Sequence, residues 1–244
     1  MKVVCIIEAR LKSSRLPGKV LKPIMGKPML ELMCERLQRS RLIDDLVIAT
    51  TDQESDEPIV DLAKKIGVLF FRGSEDDVLL RVLNAAKTYK ADIIVETTGD
   101  CPLNDPAMVD KVVADFLMGG ADFVSNTLQY STPRGTDVRV FKTESLNEIN
   151  DISDDLADHE HVSLHYWEHP EKYRLRNVST DFDESVKDWR LTVDTIEDFN
   201  LVKKIYEGLY FKNSAFNLSD IIKFIKENPE LLKFNENIIQ KPVR

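Results

Sequence analysis

The stretch Val3–Lys19 reads VVCIIEARLKSSRLPGK. It opens with a short β-branched run, Val3–Ile7, with polar residues on either side. Such a run reads as a buried strand of a parallel sheet. Working outward, the same kind of run recurs at Leu46–Thr50, Val68–Phe71 and Ile93–Thr97. Between and after these runs, apolar residues fall at spacings of 0, 3, 4 and 7. The sets are Leu30/Met33/Cys34/Leu37, Ile59/Leu62/Ala63/Ile66, Leu79/Val82/Leu83/Ala86 and Val109/Val112/Val113/Phe116. Each set shares one helical face. Start signals agree: Pro28 and Pro106 suit first helical positions, and Ser55, Ser74 and Asp105 suit N-caps. Strand–helix alternation of this kind predicts an α/β fold, a three-layer sandwich around a mostly parallel sheet.

The regularity weakens after Phe123–Ser125. Arg134–Phe141 (RGTDVRVF) alternates like a half-exposed strand, and DHEHVSLHYWEHP reads as one short helix stopped by Pro170. Tyr173–Val178 and Arg190–Val193 read as strands, and Asp198–Leu209 and Asp220–Lys226 as closing helices. There is no internal repeat and no low-complexity linker, so residues 1–244 are expected to form a single domain. A small dimerisation or acceptor-binding arm is expected at about 130–180. A net charge of −9 argues against nucleic acid or an anionic membrane as partner. The three cysteines form no CxxC pair, and the first apolar run is too short for a leader or a span, which together suit a cytoplasmic protein.

Against that acidic background, Glu8–Pro28 gathers Arg10, Lys12, Arg15, Lys19, Lys22 and Lys27 with a single carboxylate. In open α/β sheets ligands sit beyond the carboxyl ends of the strands, which is where this loop falls. Arg10, Arg15 and Lys19 are the side chains a polyphosphate needs, and Ser13 and Ser14 add hydroxyl donors. The loop is neither a Walker P-loop nor G-x-G-x-x-G. A solvated basic loop remains the plainer alternative.

A triphosphate needs a divalent cation, and Mg²⁺ prefers one or two carboxylates completed by phosphate oxygens and water. Asp100 follows the Ile93–Thr97 run, and Asp194 ends RLTVD, so both are candidate metal ligands at strand ends. Asp198 reads as a first-turn residue favoured by the helix dipole. His161 and His165, four apart, leave zinc open, although no third ligand has motif spacing. Cys101 has no relay partner and reads as structural.

ARLKSSRLPGKVL resembles the A-R-x-x-S-[ST]-R-[LF]-x-x-K motif of the CMP-Kdo and CMP-sialate synthetases. Its longer match is similar to their relatives, the spore-coat polysaccharide biosynthesis F-type nucleotidyltransferases. The similarity continues in order through GKPMLE, RGSEDDVLLR, TGDCPLNDP, ADFVSN, PRGTDV, EHV and RLTVDTIEDF. The resemblance implies a cytidylyltransferase that couples CTP to a sugar, sugar acid or related small-molecule acceptor, with Mg²⁺ and as a homodimer. It implies that Ala9, Arg10, Ser14, Arg15 and Lys19 hold the triphosphate, with Arg72, Ser74, Asp76 and Thr98 as further nucleotide contacts. Arg134, Asp137 and His161 would meet the acceptor, and Asp100 and Asp194 the metal. Catalysis would rest on Arg10, Arg15, Lys19 and Asp100. Three positions depart from the family pattern: Glu8 replaces Gln and sets an anion beside the phosphate loop, His159 replaces Arg, and Thr98 replaces the Gln of the Kdo enzymes. The sequence leaves two other readings open. One is a glycosyltransferase, though Asp100-Cys101-Pro102 lacks the second acid of a D-x-D. The other is a non-catalytic nucleotide-binding paralogue.

Overall fold

The computed structural model describes residues 1–241. The strands are β1 (Val3–Glu8), a small hairpin of β2 (Pro23–Ile24) and β3 (Lys27–Pro28), β4 (Asp45–Thr51), β5 (Leu69–Gly73), β6 (Ile93–Thr98), β7 (Phe123–Ser125), β8 (Arg139–Lys142) and β9 (Leu175–Asn177). The helices are α1 (Met29–Leu37), α2 (Glu57–Ile66), α3 (Val78–Thr88), α4 (Pro106–Leu117), α5 (Thr143–Ile152), α6 (Leu156–Glu160), α7 (Leu164–Glu168), α8 (Ile196–Leu209) and α9 (Leu218–Glu227). Seven strands form one sheet in the order β5-β4-β1-β6-β8-β7-β9, and β8 alone runs antiparallel to its neighbours.

Alternation along β1 explains the layers. Val3, Cys5 and Ile7 face α1, α2 and α4 in one apolar cluster, while Val4 and Ile6 face α3 and α5 in another. Both faces are covered, so the strand is apolar throughout. A third cluster gathers α8 and α9 against Met29 and Leu32 of α1 and against Leu191 and Val193. Each fully buried side chain of this size contributes about 1.5–3 kcal/mol from burial.

Several local expectations change. Pro28 stands at the N-cap of α1, one place before the first helical residue. Ser55 lies inside a 3-10 turn, and Asp56 takes the N-cap position of α2. Ser74 accepts the Asp77 N–H, and Asp77 is the side chain that caps α3. Asp105 caps α4 as expected. The Arg134–Phe141 strand contracts to β8, because the carboxylate and amide contacts of residues 134–138 replace ladder bonds. Arg190–Val193 joins no sheet; Arg190 is bridged to Arg134, and Val193 N donates to the Asp100 carbonyl (2.8 Å). The helix expected before Pro170 breaks at His161–Ser163 into α6 and α7. Within residues 130–180, β8 lies between β6 and β7, and Tyr166 of α7 is fully buried on Phe123 and Phe141.

Candidate active site

Two clefts open at the carboxyl ends of β1 and β6. The first, of about 590 Å³, is lined by Ala9, Arg10, Ser14, Arg15 and Lys19. The second, of about 740 Å³, is lined by Tyr130, Arg134, Asp137, Arg139, Trp167 and Asn177. Thr98, Asp100, Asp194 and Gln240 line both, so the clefts meet at the two aspartates.

The loop of the first cleft is fixed by backbone bonds. Leu11 N donates to the buried Asp56 (2.8 Å), and Gly18 N donates to the Leu11 carbonyl (2.8 Å). Gly18 turns the chain at φ 70°, a region that favours glycine. The turn delivers Lys19 inward, where its ammonium donates to Asp194 Oδ1 (2.9 Å), Asp100 Oδ2 (3.1 Å) and the Val193 carbonyl (2.7 Å). Burial works against that charge, but the two carboxylates outweigh it and hold the lysine pKa above its usual value. Asp100 shifts the other way: burial opposes its ionisation, and Lys19 with the Thr98 hydroxyl (2.6 Å) more than compensates. Arg15 pairs with Asp194 Oδ2 at 3.0 Å, and Arg10 lines the cleft beside the 74–77 loop.

In the second cleft Arg134 stacks over Tyr130 at 4.4 Å. Arg139 is bracketed by Glu96 (3.1 Å) and Asp137 (3.3 Å), so its charge is neutralised within the protein. Gly135 lets its loop close on the Leu191–Thr192 backbone, since a Cβ there would stand 2.2 Å from Thr192 N.

The structure therefore brings together Ala9, Arg10, Ser14, Arg15, Lys19, Thr98, Asp100 and Asp194, and separately Arg134 and Asp137. His161 lines the first cleft, apart from Arg134 and Asp137, with which it was expected to group. Arg72 lies outside both clefts and holds the Thr51, Asp52 and Gln53 carbonyls together with Glu57. Ser74 and Asp76 also lie outside both lining sets. His165 is buried on Asp158 (2.8 Å) across the helix break from His161. Among the described residues no group of three His, Cys, Asp or Glu is placed to hold a metal. Zinc is thus unsupported. The Asp100–Asp194 pair fits Mg²⁺, whose remaining ligands would be phosphate oxygens and water: both carboxylates already converge on one cationic nitrogen.

Glu8 lines the first cleft, with one oxygen buried and without a hydrogen-bond partner. Burial and the neighbouring Glu96 push its pKa up, to about 8, so its position disfavours the anion expected from the sequence. Gln240, which lines both clefts, carries no local signal in the sequence.

A basic cleft joined to a second cleft at paired carboxylates is the layout of a nucleotidyl-transferring enzyme. The chain matches the family model described as cytidylyltransferase over residues 4–226 and belongs to that family. It is 32% identical over 234 residues to the spore coat polysaccharide biosynthesis protein SpsF of Bacillus subtilis, covering 93% of this chain and 95% of that one. Its structure is similar to that of a cytidylyltransferase from Leptospira borgpetersenii, with TM-score 0.90, 36% identity and coverage of 99% and 100%. A 3-deoxy-manno-octulosonate cytidylyltransferase of Geobacter metallireducens is 30% identical over 178 residues, 67% of this chain and 69% of that one.

Proposed function

We propose that this enzyme transfers CMP from CTP to a sugar, sugar acid or related hydroxyl-bearing acceptor and releases pyrophosphate. The observation that carries this reading is Lys19, held between Asp100 and Asp194 where the basic cleft meets the second cleft. An acceptor oxygen entering from the Arg134 side would attack the α-phosphorus in line. Arg10, Arg15 and Lys19 would neutralise the charge that builds on the departing pyrophosphate, so catalysis is mainly positioning and electrostatics. Asp100 and Asp194 would hold Mg²⁺. When bound, that ion offsets phosphate charge and lowers the pKa of the attacking hydroxyl.

The acceptor side supports a polar substrate with no more than modest negative charge. Arg139 is already neutralised there, which leaves Arg134 to meet an acidic group, while Gln129 offers its side-chain amide. The similarity to SpsF and to Kdo cytidylyltransferases favours surface polysaccharide or glycoconjugate biosynthesis, in the cytoplasm and as a homodimer. No helix among the described residues is long and apolar enough to cross a membrane. The test is pyrophosphate release from CTP across a panel of keto-sugar acids, sugar phosphates and phosphonates. Release with one acceptor class is expected. Consumption of a nucleotide sugar with liberation of nucleoside diphosphate would identify a glycosyltransferase, and binding without turnover on any acceptor would identify a paralogue that has lost catalysis.

A further inference from the structure

Asp194 carries three cations, and they are not equivalent. Its Oδ1 meets Lys19 (2.9 Å), while its Oδ2 meets Arg15 (3.0 Å) and Arg190 (2.6 Å). Arg15 belongs to the basic loop and its side chain is 37% exposed, so it is free to turn toward a phosphate. Arg190 has no such freedom, since its side chain is 8% exposed and its other nitrogens are engaged. Its Nε donates to Asp198 Oδ1 at 3.0 Å, Nη2 also reaches Asp198 Oδ2 at 3.3 Å, and Nη1 donates to Gln240.

Asp198 is fully buried and does more than compensate Arg190. Its Oδ2 accepts the backbone N–H of Asp194 and of Thr195, both at 3.0 Å, and its Oδ1 accepts from Asn235 Nδ2 at 2.8 Å. Asn235 Nδ2 also donates to the Arg190 carbonyl (2.9 Å). Asp198 thus fixes the backbone of Asp194 while Arg190 fixes one of its two carboxylate oxygens. A buried ion pair with its remaining donors and acceptors satisfied restricts rotamers more than it adds stability, and a guanidinium fork suits that task better than an ammonium.

We propose that Arg190, anchored by Asp198 and latched by Asn235 and Gln240, is a positioning residue for Asp194. By holding Oδ2 it turns Oδ1 toward Lys19 and Asp100, the point where both clefts meet. This inference rests on the proposed function in one respect: the carboxylate so aimed is one of the two that would hold Mg²⁺. It also gives the segment 235–240 a part in the site, because Gln240 lines both clefts and contacts Arg190 directly.

The test is calorimetry of CTP binding to full-length wild type, Arg190→Met, Arg190→Lys and Gln240→Ala, each in EDTA and across a Mg²⁺ titration. Arg190→Met should need at least about tenfold more Mg²⁺ for half-maximal enhancement of binding, with affinity in EDTA changed less than about twofold. Arg190→Lys should recover part of the shift, and Gln240→Ala should show a smaller one of the same sign. A residue that only stabilises the fold would lower affinity with and without Mg²⁺ alike. Gln240→Ala, which removes a contact near the surface, keeps the test open if Arg190→Met does not fold. Wild type that responds to Mg²⁺ while the folded variants respond identically overturns this inference alone. Wild type indifferent to Mg²⁺ overturns it together with the metal part of the proposed function.

Discussion

The two clefts differ in how the chain builds them. The first takes its cations from one contiguous loop, residues 9–19, and the carboxylates that meet Arg15 and Lys19 come from other segments, at Asp100 and Asp194. The second is assembled from residues 127–139, 167–177 and 192–194, and its buried guanidinium is already paired. A polyanion needs concentrated, displaceable charge, and one loop at a strand end supplies it. A smaller acceptor needs shape and directed hydrogen bonds, which several rigid segments supply. The clefts share Asp100 and Asp194, and Lys19 is the first cleft's cation that reaches both.

The largest expected effect therefore falls on Lys19. Lys19→Ala should lower kcat by about 10²–10³-fold, the scale for removing one preorganised charge donor. Circular dichroism should show the fold retained, and near-normal turnover would remove Lys19 from the chemistry. Asp100→Ala should come next, abolishing the Mg²⁺ enhancement of nucleotide binding; an unchanged Mg²⁺ titration would exclude it as a ligand. On the other side, Arg134→Ala should raise the acceptor KM about tenfold and leave CTP affinity in place. A loss of CTP affinity instead would dissolve the division of labour between the clefts.

Much of this division was legible in the sequence. The first half declares itself because strand, loop cations and helix follow one another, and Asp100 sits just beyond the end of β6. In the second half Tyr130 and Asp137 meet Arg139 of β8 through irregular backbone that periodicity does not report, although the family resemblance already pointed to Asp137. The spacing of His161 and His165 put both on one helical face, and a helix break invisible to residue spacing separates them. The departures from family pattern became physical once packing was known. His159 Nδ1 lies 2.9 Å from Asp77, whose carboxylate raises the imidazole pKa. Glu8 lies beside Glu96 under Arg81, with Arg139 and Asp100 also in its field.

Glu8 supplies the smallest and most specific test. Its folded pKa, about 8, lies above the usual value of 4.5, so the folded chain keeps a proton that the unfolded chain releases. Stability from this group is accordingly full at low pH, falls as pH rises from about 4.5 to about 8, and is level above that. Glu8→Gln removes the titration. Its melting temperature should gain on wild type steadily between pH 5 and pH 8, and a difference independent of pH would show that Glu8 ionises normally.

The most direct measurement of the central claim is isothermal calorimetry with CTP, UTP, ATP and GTP, each with and without Mg²⁺. The two-cleft account predicts tight binding of CTP that depends on Mg²⁺, weaker binding of the other three, and loss of the CTP signal in Lys19→Ala. Preference for another triphosphate would contradict the cytidylyl assignment. Binding of none of the four would contradict the triphosphate role of the basic loop itself.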